Sequence, residues 1–257
     1  MNDISKSIMY AQWSYNPATG CLKNCSYCYA KVITERFKPK IPVAGKRLDG
    51  VWLAEPGTPF PHGFEPTWYE HRLQEPARKK DPALVFVGDM ADLWSPAFPD
   101  WARQKALAAM VAAPHHVYLC LSKTPQGYPA NLPPGVWPGT TIERGLFKPG
   151  RLAALKRVHA DLRWLSVEPL LGDLRFAPGE LDAVGWVVVG SQTGNRGPLP
   201  EVFNVIQWAR AIVDDCDRAG VPVFMKTAMA KFWAGPLRRE FPSAARGYLP
   251  YIDPAGM

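Results

Sequence analysis

Short, continuous apolar segments alternate with amphipathic stretches from about residue 83 to the C-terminus. A segment that is apolar throughout is typical of a strand covered on both faces of a parallel sheet. Such strands are predicted at 83–87, 117–121, 164–167, 186–189 and 221–225, with a weaker sixth at 136–142 and a first strand at 8–13. Their alternation with helical patterns predicts βαβ units and a parallel sheet.

Apolar residues at helical spacing predict three helices between these strands. The clearest covers 202–216, and Gly220 follows it as a stop signal. A second is predicted over 100–113 with Asp100 as its N-terminal cap, and a third over 149–161. This order of elements fits an α/β fold, either an open sheet or a (β/α) barrel, and periodicity alone does not separate the two.

A proline-rich, basic stretch at 38–80 interrupts the pattern. Loops of this length inside a compact domain are usually functional or disordered. We interpret it as an insertion on the substrate side of the fold. Its aromatic residues Trp52, Trp68, Tyr69 and His71 then either stack on bases or pack within an ordered lid.

Length and composition limit the class of protein. A chain of 257 residues with 47% hydrophobic content can bury a sizeable core, so we expect one domain, 1–257, with the insertion at 38–80. No apolar run approaches the roughly 20 residues that cross a bilayer. The polar start of the chain also lacks the apolar core of a signal peptide. These features predict a cytoplasmic protein without a membrane partner.

The charge balance allows a polyanionic partner. The formal net charge is +7 and the pI is about 9.2. Lysine and arginine clustered on one surface attract phosphates by releasing counterions, which makes nucleic acid a candidate partner. An enzyme with an ordinary basic surface explains the same charge equally well.

Three of the five cysteines, Cys21, Cys25 and Cys28, lie within eight residues in the pattern C-x3-C-x2-C. Three thiolates on one short loop can hold three irons of a [4Fe-4S] cluster and leave the fourth iron open for chemistry. A structural zinc site normally has a fourth Cys or His close by, and the nearest histidine is His62. A zinc knuckle or three unrelated thiols remain the alternatives.

The other two cysteines, Cys120 and Cys216, stand alone in apolar surroundings. This distribution does not resemble the disulfide framework of a secreted protein. We predict that both are core residues.

The cysteine loop resembles that of the radical S-adenosylmethionine (radical SAM) enzymes at all three cysteines. The preceding segment, W-S-Y-N-P-A-T-G at 13–20, is similar to the start of a phage-associated, radical-SAM-like family of unknown function. Segments 89–94, 121–125, 165–172 and 189–194 agree with that family. The resemblance covers about residues 10–230 and implies a partial or complete (β/α) barrel of the radical SAM type.

Polar residues follow most of the predicted strands. Carboxyl ends of parallel strands share one edge of a sheet or barrel, where reactive groups collect. The residues are Asp89, Asp92, Ser122, Lys123, Thr141, Glu143, Glu168, Ser191, Gln192, Lys226 and Thr227. Any one of them could instead cap a loop or helix, but their joint placement predicts a site.

The resemblance implies roles for these residues by strand order. Asp89 and Asp92 lie where radical SAM enzymes usually carry a glycine-glycine-glutamate motif for the amino acid end of SAM. This chain departs from the motif, although Asp89 can still pair with the SAM ammonium group. Ser122 and Lys123 then face the SAM carboxylate, and Glu143 faces the ribose hydroxyls.

Two further positions follow from the same strand order. Ser191 and Gln192 lie on the adenine side of the implied SAM site. Glu168 remains for the substrate or the sulfonium, or it forms a purely structural ion pair with Lys226 or Lys123.

The resemblance implies an enzyme with a [4Fe-4S] cluster and SAM as cofactors, and an electron donor such as a flavodoxin or ferredoxin as partner. In such enzymes the reduced cluster splits SAM into methionine and a 5′-deoxyadenosyl radical, which abstracts hydrogen from a substrate. A nucleobase in DNA or RNA is the first candidate substrate, and a small metabolite or peptide is the second. A non-catalytic iron–sulfur protein that binds nucleic acid or senses redox state is the alternative from another class.

Overall fold

The structure, a computed structural model, describes residues 1–41, 43–193 and 200–251. Pro42 of the predicted insertion and Gly194, the last residue of segment 189–194, lie outside the described residues. The strands are β1 Asn2–Asp3, β2 Trp13–Tyr15, β3 Ala18–Thr19, β4 Lys46–Leu48, β5 Val51–Leu53, β6 Thr67–Trp68, β7 Leu84–Val87, β8 Val117–Ser122, β9 Val136–Thr141, β10 Trp164–Val167, β11 Trp186–Val189 and β12 Val223–Met225. The helices are α1 Tyr29–Phe37, α2 Glu75–Arg78, α3 Asp100–Val111, α4 Lys148–Lys156 and α5 Val202–Ala219.

The main sheet has eight strands in the order β1-β2-β7-β8-β9-β10-β11-β12. Every neighbouring pair from β2 to β12 is parallel, and only β1 runs antiparallel to its neighbour. Within the described residues β1 and β12 are the two edges of this sheet, so the curled sheet is a half-barrel rather than a closed barrel. The predicted α/β fold of the radical SAM type, in its partial form, is confirmed.

Six of the seven predicted strands form with small changes of boundary, but the first was misplaced. The strand enters the sheet at Trp13, whereas residues 8–10 form a turn in which Met9 has a φ of 72°. Tyr10 and Ala11 are apolar because they are buried in the interior of the half-barrel, not because they belong to a strand.

Helix α5 confirms the clearest helical prediction, and Gly220 ends it in the left-handed conformation with a φ of 67°. Two other helix boundaries differ from the predictions. Asp100 is the first residue of α3 rather than its cap, a position taken by Pro99. Helix α4 ends at Lys156, and the apolar Val158 beyond it is buried in the following loop.

The inner face of the main sheet carries large aromatic side chains near the amino ends of the strands. Trp164, Trp186 and Phe224 lie on neighbouring strands, and Tyr10 packs edge-on against all three, with ring centroids 5.7 to 5.9 Å apart. Gly139 provides the space for one of them, because a Cβ at that position would lie 2.4 Å from the Trp164 ring. These rings fill the amino-terminal end of the half-barrel.

Farther along the same strands the inward positions carry small or polar residues. Strand β10 changes from Trp164 to Ser166 and then Glu168 just beyond its end, and β11 is followed by Gly190. Because alternate residues of a strand share one face, this change occurs on the side that the aromatic rings fill below. The interior is therefore packed at one end and open at the carboxyl ends of the strands.

The described residues of the 38–80 stretch, 38–41 and 43–80, include regular secondary structure, contrary to the expectation of a loop. Strands β4, β5 and β6 pair with β3 in a second sheet of order β3-β6-β5-β4. Trp68 and Tyr69 are buried, so for these two the packing alternative is correct. Trp52 stacks on His62 with the ring centroids 4.1 Å apart. The strands are only two or three residues long, and one partner comes from 18–19, so local periodicity could not reveal them.

No helix in the described part of the chain has both the length and the apolar character needed to cross a membrane.

Candidate active site

A cavity of about 420 Å³ lies at the carboxyl ends of the main-sheet strands. This volume is in the range of small-molecule and cofactor sites. The three cysteines Cys21, Cys25 and Cys28 line it. Most of the polar residues predicted from the strand ends also line it: Asp89, Asp92, Ser122, Lys123, Thr141, Glu168, Ser191, Gln192 and Lys226. Glu143 lies behind the wall that Tyr27 and Lys123 form. The tertiary structure thus brings together residues that span more than 200 positions of sequence.

The cysteine loop follows β3 and is fixed at both ends. Gly20 has a φ of 89°, and a Cβ there would lie 2.3 Å from the backbone oxygen of Glu65, so only glycine fits before the first cysteine. At the other end Cys28 is the N-cap of α1, and its Sγ accepts a hydrogen bond from the Lys31 amide. The loop is therefore anchored to the small sheet on one side and to a helix N-terminus on the other.

Each of the three sulfurs accepts a hydrogen bond from an N–H group. Cys21 Sγ accepts from the Lys23 amide at 3.4 Å, and Cys28 Sγ accepts from the Lys31 amide at the same distance. Cys25 Sγ lies 3.9 Å from the Lys123 ammonium. All three thiols are free of disulfides. Donors of this kind stabilise thiolates, the form of cysteine that binds iron.

The residues present fit an iron–sulfur cluster by the chemistry of their donor set. Three free cysteines of one loop open into one cavity, and each sulfur has a hydrogen-bond donor. Among the described residues no three Cys, His, Asp or Glu side chains are arranged as a finished metal site, so the fit is one of donor chemistry. Burial raises the pKa of Cys21 to about 11, and a bound cation would oppose that effect.

Glu143 is the centre of a charged cluster beside the cysteine loop. Its carboxylate accepts hydrogen bonds from Lys123, Tyr27 and Arg151. Burial alone would raise the pKa of Glu143, but the Lys123 ammonium, the Tyr27 hydroxyl and Arg151 lower it to about 2. Glu143 is therefore ionised at neutral pH. Its contact with a ribose stays a prediction, since these three groups occupy its oxygens here.

Two carboxyl groups follow β7, at the position where the resemblance placed the amino acid end of SAM. Asp92 accepts hydrogen bonds from the Ser122 hydroxyl at 2.5 Å and the Lys123 amide at 3.2 Å. Asp89 accepts from the Asn16 amide group. Burial raises the pKa of both carboxyl groups, partly offset by these hydrogen bonds. A cationic ligand in the cavity would relieve that cost, which suits the ammonium group that the sequence predicts here.

Glu168 pairs with Lys226 Nζ at 2.6 Å, one of the two partners that the sequence suggested. The two residues follow β10 and β12, and the end of β11 lies between them. Gly190 makes this pair possible, because a Cβ there would lie 2.9 Å from Glu168 Cδ. The carboxylate can thus lie across the end of β11 to reach the lysine.

Ser191 and Gln192 are buried at the cavity wall. The Ser191 hydroxyl donates to the Ala228 carbonyl oxygen at 3.0 Å, which joins this end of β11 to the turn after β12. Their placement on the adenine side of SAM stays a prediction. Thr227 does not line the cavity and accepts a hydrogen bond from Arg239.

Three residues at the site were missed by the sequence reasoning. Tyr29 lines the cavity and donates to the Asp89 carbonyl oxygen at 2.7 Å, and Asn16 holds the Asp89 carboxylate. Arg151 pairs with Glu143. A signal existed for Arg151, because it lies in the first turn of a predicted helix, where the helix dipole disfavours a cation. The other two carry no such signal.

The sequence matches, over residues 5–240, the family described as "Protein of unknown function (DUF5131)". That match covers most of the chain, so the protein belongs to this family. No curated protein matches the sequence at a significant level.

Two solved structures, both of spore photoproduct lyase, resemble the fold. A point mutant of that enzyme aligns with a TM-score of 0.51 and 11% identity, covering 84% of this chain and 77% of the other. The lyase complexed with dinucleoside spore photoproduct aligns with a TM-score of 0.45 and 13% identity, covering 72% of this chain and 58% of the other. The chain thus spans less than two thirds of that second structure. At these identities the likeness concerns the fold alone.

Proposed function

We propose that this protein is a radical SAM enzyme that cleaves S-adenosylmethionine reductively and abstracts hydrogen from a substrate. One observation carries the proposal: three free cysteines of one loop open into the cavity at the mouth of a radical-SAM-type half-barrel. A zinc knuckle normally takes a fourth Cys or His close to its loop, and the histidine nearest to this loop in the sequence is His62.

Cys21, Cys25 and Cys28 would hold a [4Fe-4S] cluster. When bound, that cluster supplies the electron that breaks the sulfonium bond of SAM. The chain's own residues orient and enclose the reactants. Asp89 and Asp92 provide carboxylates for the ammonium group of SAM, and the buried wall of the cavity limits access of water.

The substrate side of the cavity would be the Glu168 and Lys226 pair. These side chains present an acceptor and a donor next to one another. A nucleobase edge also carries donors and acceptors side by side, and the net charge of +7 favours a polyanionic carrier for that base. We therefore keep a nucleobase in DNA or RNA as the proposed substrate, and an external electron donor as the proposed partner.

Anaerobic reconstitution tests the enzymatic proposal. The protein is loaded with iron and sulfide, reduced chemically and given SAM, and 5′-deoxyadenosine is measured. We expect a reduced-cluster signal and slow release of 5′-deoxyadenosine without substrate, and faster release with the right nucleic acid. A loaded cluster that never cleaves SAM would favour the non-catalytic alternative. Stoichiometric zinc in anaerobically purified protein would contradict the cluster itself.

The Glu168 and Lys226 pair offers a sharper test of the substrate. Glu168→Gln keeps the shape and removes the charge, so we expect cluster loading to stay intact while stimulation by substrate falls. A wild-type enzyme that responds to peptides or small metabolites, and to none of the nucleic acids, would contradict the proposed substrate class only.

A further inference from the structure

Of the three cysteine sulfurs, Cys25 Sγ is the one whose donor is a charged side chain. The sulfurs of Cys21 and Cys28 accept backbone amides, which any sequence would supply in this loop conformation. Cys25 Sγ faces the Lys123 ammonium at 3.9 Å. That ammonium is therefore the one donor of the three that a side-chain substitution can remove.

Lys123 is held in this place by several groups. Its ammonium pairs with Glu143, bonds the Tyr27 hydroxyl and lies 4.5 Å from the centre of the Tyr27 ring. Its backbone amide donates to Asp92. The Lys123 side chain is 18% exposed and that of Glu143 only 4%, so water screens the group weakly. A lysine tethered from so many directions has little freedom to leave the sulfur.

The formal charges of the Lys123, Glu143 and Arg151 side chains do not cancel one another. Glu143 carries one negative charge, and the two cations Lys123 and Arg151 both pair with it. Their formal charges sum to +1, and Lys123 is the member of the three whose charge faces Cys25 Sγ. Hydrogen bonds to sulfur and nearby charge are among the factors that set the reduction potential of an iron–sulfur cluster.

We infer that Lys123 is a positioning residue that raises the reduction potential of the iron–sulfur cluster through Cys25 Sγ. Reduction adds one negative charge to the cluster, and a fixed cation beside a ligand sulfur stabilises the reduced form relative to the oxidised form. Glu143, which is itself paired with Arg151, holds the ammonium in place from behind the cavity wall. This inference rests on the proposed function, since it requires the cluster.

The test compares Lys123→Met, Lys123→Arg and Lys148→Met with the wild type after anaerobic reconstitution. Methionine keeps an unbranched chain without the charge, and arginine keeps the charge. Lys148 is a matched control, because its side chain is also 18% exposed and pairs with Glu180 at 2.5 Å away from the cysteine loop. Iron and sulfide content, circular dichroism and the midpoint potential by redox titration are measured for each.

We expect Lys123→Met to have a midpoint potential below that of the wild type, with Lys123→Arg and Lys148→Met close to it. Loss of loading in Lys123→Met alone, with normal circular dichroism, would also support a requirement for the charge. Equal potentials in loaded Lys123→Met and wild type would overturn the inference. Failure of both Lys123 variants to load would overturn it as well, in favour of a purely steric role. A wild type that does not load would refute the proposed function first and the inference with it.

Discussion

The two ends of the half-barrel interior are built from the same strands by opposite chemistry. At the amino ends Tyr10, Trp164, Trp186 and Phe224 pack edge to face and exclude water. At the carboxyl ends the inward positions are small or polar and leave the cavity of about 420 Å³. Within its four residues, a strand such as β10 changes from a buried aromatic side chain to a small, polar one on the inward face.

Because of this difference, one end of each strand contributes mainly to stability and the other end mainly to function. The aromatic end contributes apolar burial, whose loss costs free energy of unfolding. The polar end contains buried carboxyl groups and ion pairs that cost free energy unless each finds a partner or a ligand. Substitutions at the aromatic end should therefore lower stability, whereas substitutions at the polar end should mainly affect function.

The largest expected effect is at the cysteine loop. Replacing Cys21, Cys25 or Cys28 with Ala should abolish the iron–sulfur chromophore, because two thiolates do not hold a cubane cluster firmly. The folded protein should remain, since all three cysteines lie at the open end. Iron and sulfide analysis after reconstitution measures the effect.

The buried cysteines provide the control for this experiment. Cys120 and Cys216 are fully buried in the core, as predicted, so Cys120→Ala and Cys216→Ala should keep the cluster. Unchanged iron content in Cys25→Ala would refute the cluster assignment.

At the closed end we expect the opposite outcome. Trp164→Ala removes a fully buried ring and should lower the free energy of unfolding by about 3–5 kcal/mol, while the cysteines remain able to bind iron. Trp52→Ala in the small sheet is the comparison. Because Trp52 is half-buried, its replacement should lower the free energy of unfolding clearly less. Urea unfolding monitored by circular dichroism gives both values. Equal losses for the two variants would mean that the rings at the closed end do not dominate stability.

The ion pairs of Glu143 should make the stability of the folded protein depend on pH. The folded-state pKa of Glu143 is about 2 and its ordinary value is 4.5, so ionised Glu143 stabilises the folded state above about pH 4.5. That contribution is on the order of 3 kcal/mol and disappears as the pH falls towards 2.

Glu143→Gln should therefore be less stable than the wild type at pH 7, and the difference should shrink between about pH 4.5 and pH 2. Urea unfolding at several pH values measures it. Glu180→Gln is the control, since Glu180 is 30% exposed and its ion pair with Lys148 should contribute less. A difference that stays constant over this range would show that Glu143 is not the titrating group.

The smallest expected effects concern nucleic acid. The 38–80 stretch was interpreted as lying on the substrate side, but its residues Arg78 and Lys80 precede β7, near the amino ends of the strands, and do not line the cavity. Lys23 lines the cavity, and Arg144 is exposed next to Tyr27. Charge reversal at Lys23 and Arg144 should weaken binding more than reversal at Arg78 and Lys80.

Binding of single- and double-stranded DNA and RNA over a range of salt concentrations measures this. Each lost phosphate contact should reduce the salt slope by about one. A larger effect from Arg78 and Lys80 would place the nucleic-acid surface at the closed end and contradict its link to the cavity. No detectable binding to any of these nucleic acids would make the charge an ordinary surface property.

The strands were predicted from the sequence more accurately than the contacts at the site. Strands β10 and β11 were predicted to the residue, because a run of apolar residues bounded by polar ones is a local signal of a buried strand. The turn at 8–10 was mistaken for a strand for the same reason. Its apolar residues fill the interior of the half-barrel. Local periodicity in the sequence does not reveal the shape of that interior.

The sequence by itself determined which reactive groups this protein has: the three thiols, the polar residues after most of the strands, and the alternation that makes a parallel sheet. Only the tertiary structure decided their pairings. It turned Lys123 towards Cys25 and Glu143, paired Glu168 with Lys226, and buried Trp68 and Tyr69. The physical reason is that these contacts join residues distant in sequence, whose distances depend on the curl of the whole sheet. Residue type and local spacing are written in the chain, whereas the curl results from packing all strands and helices together.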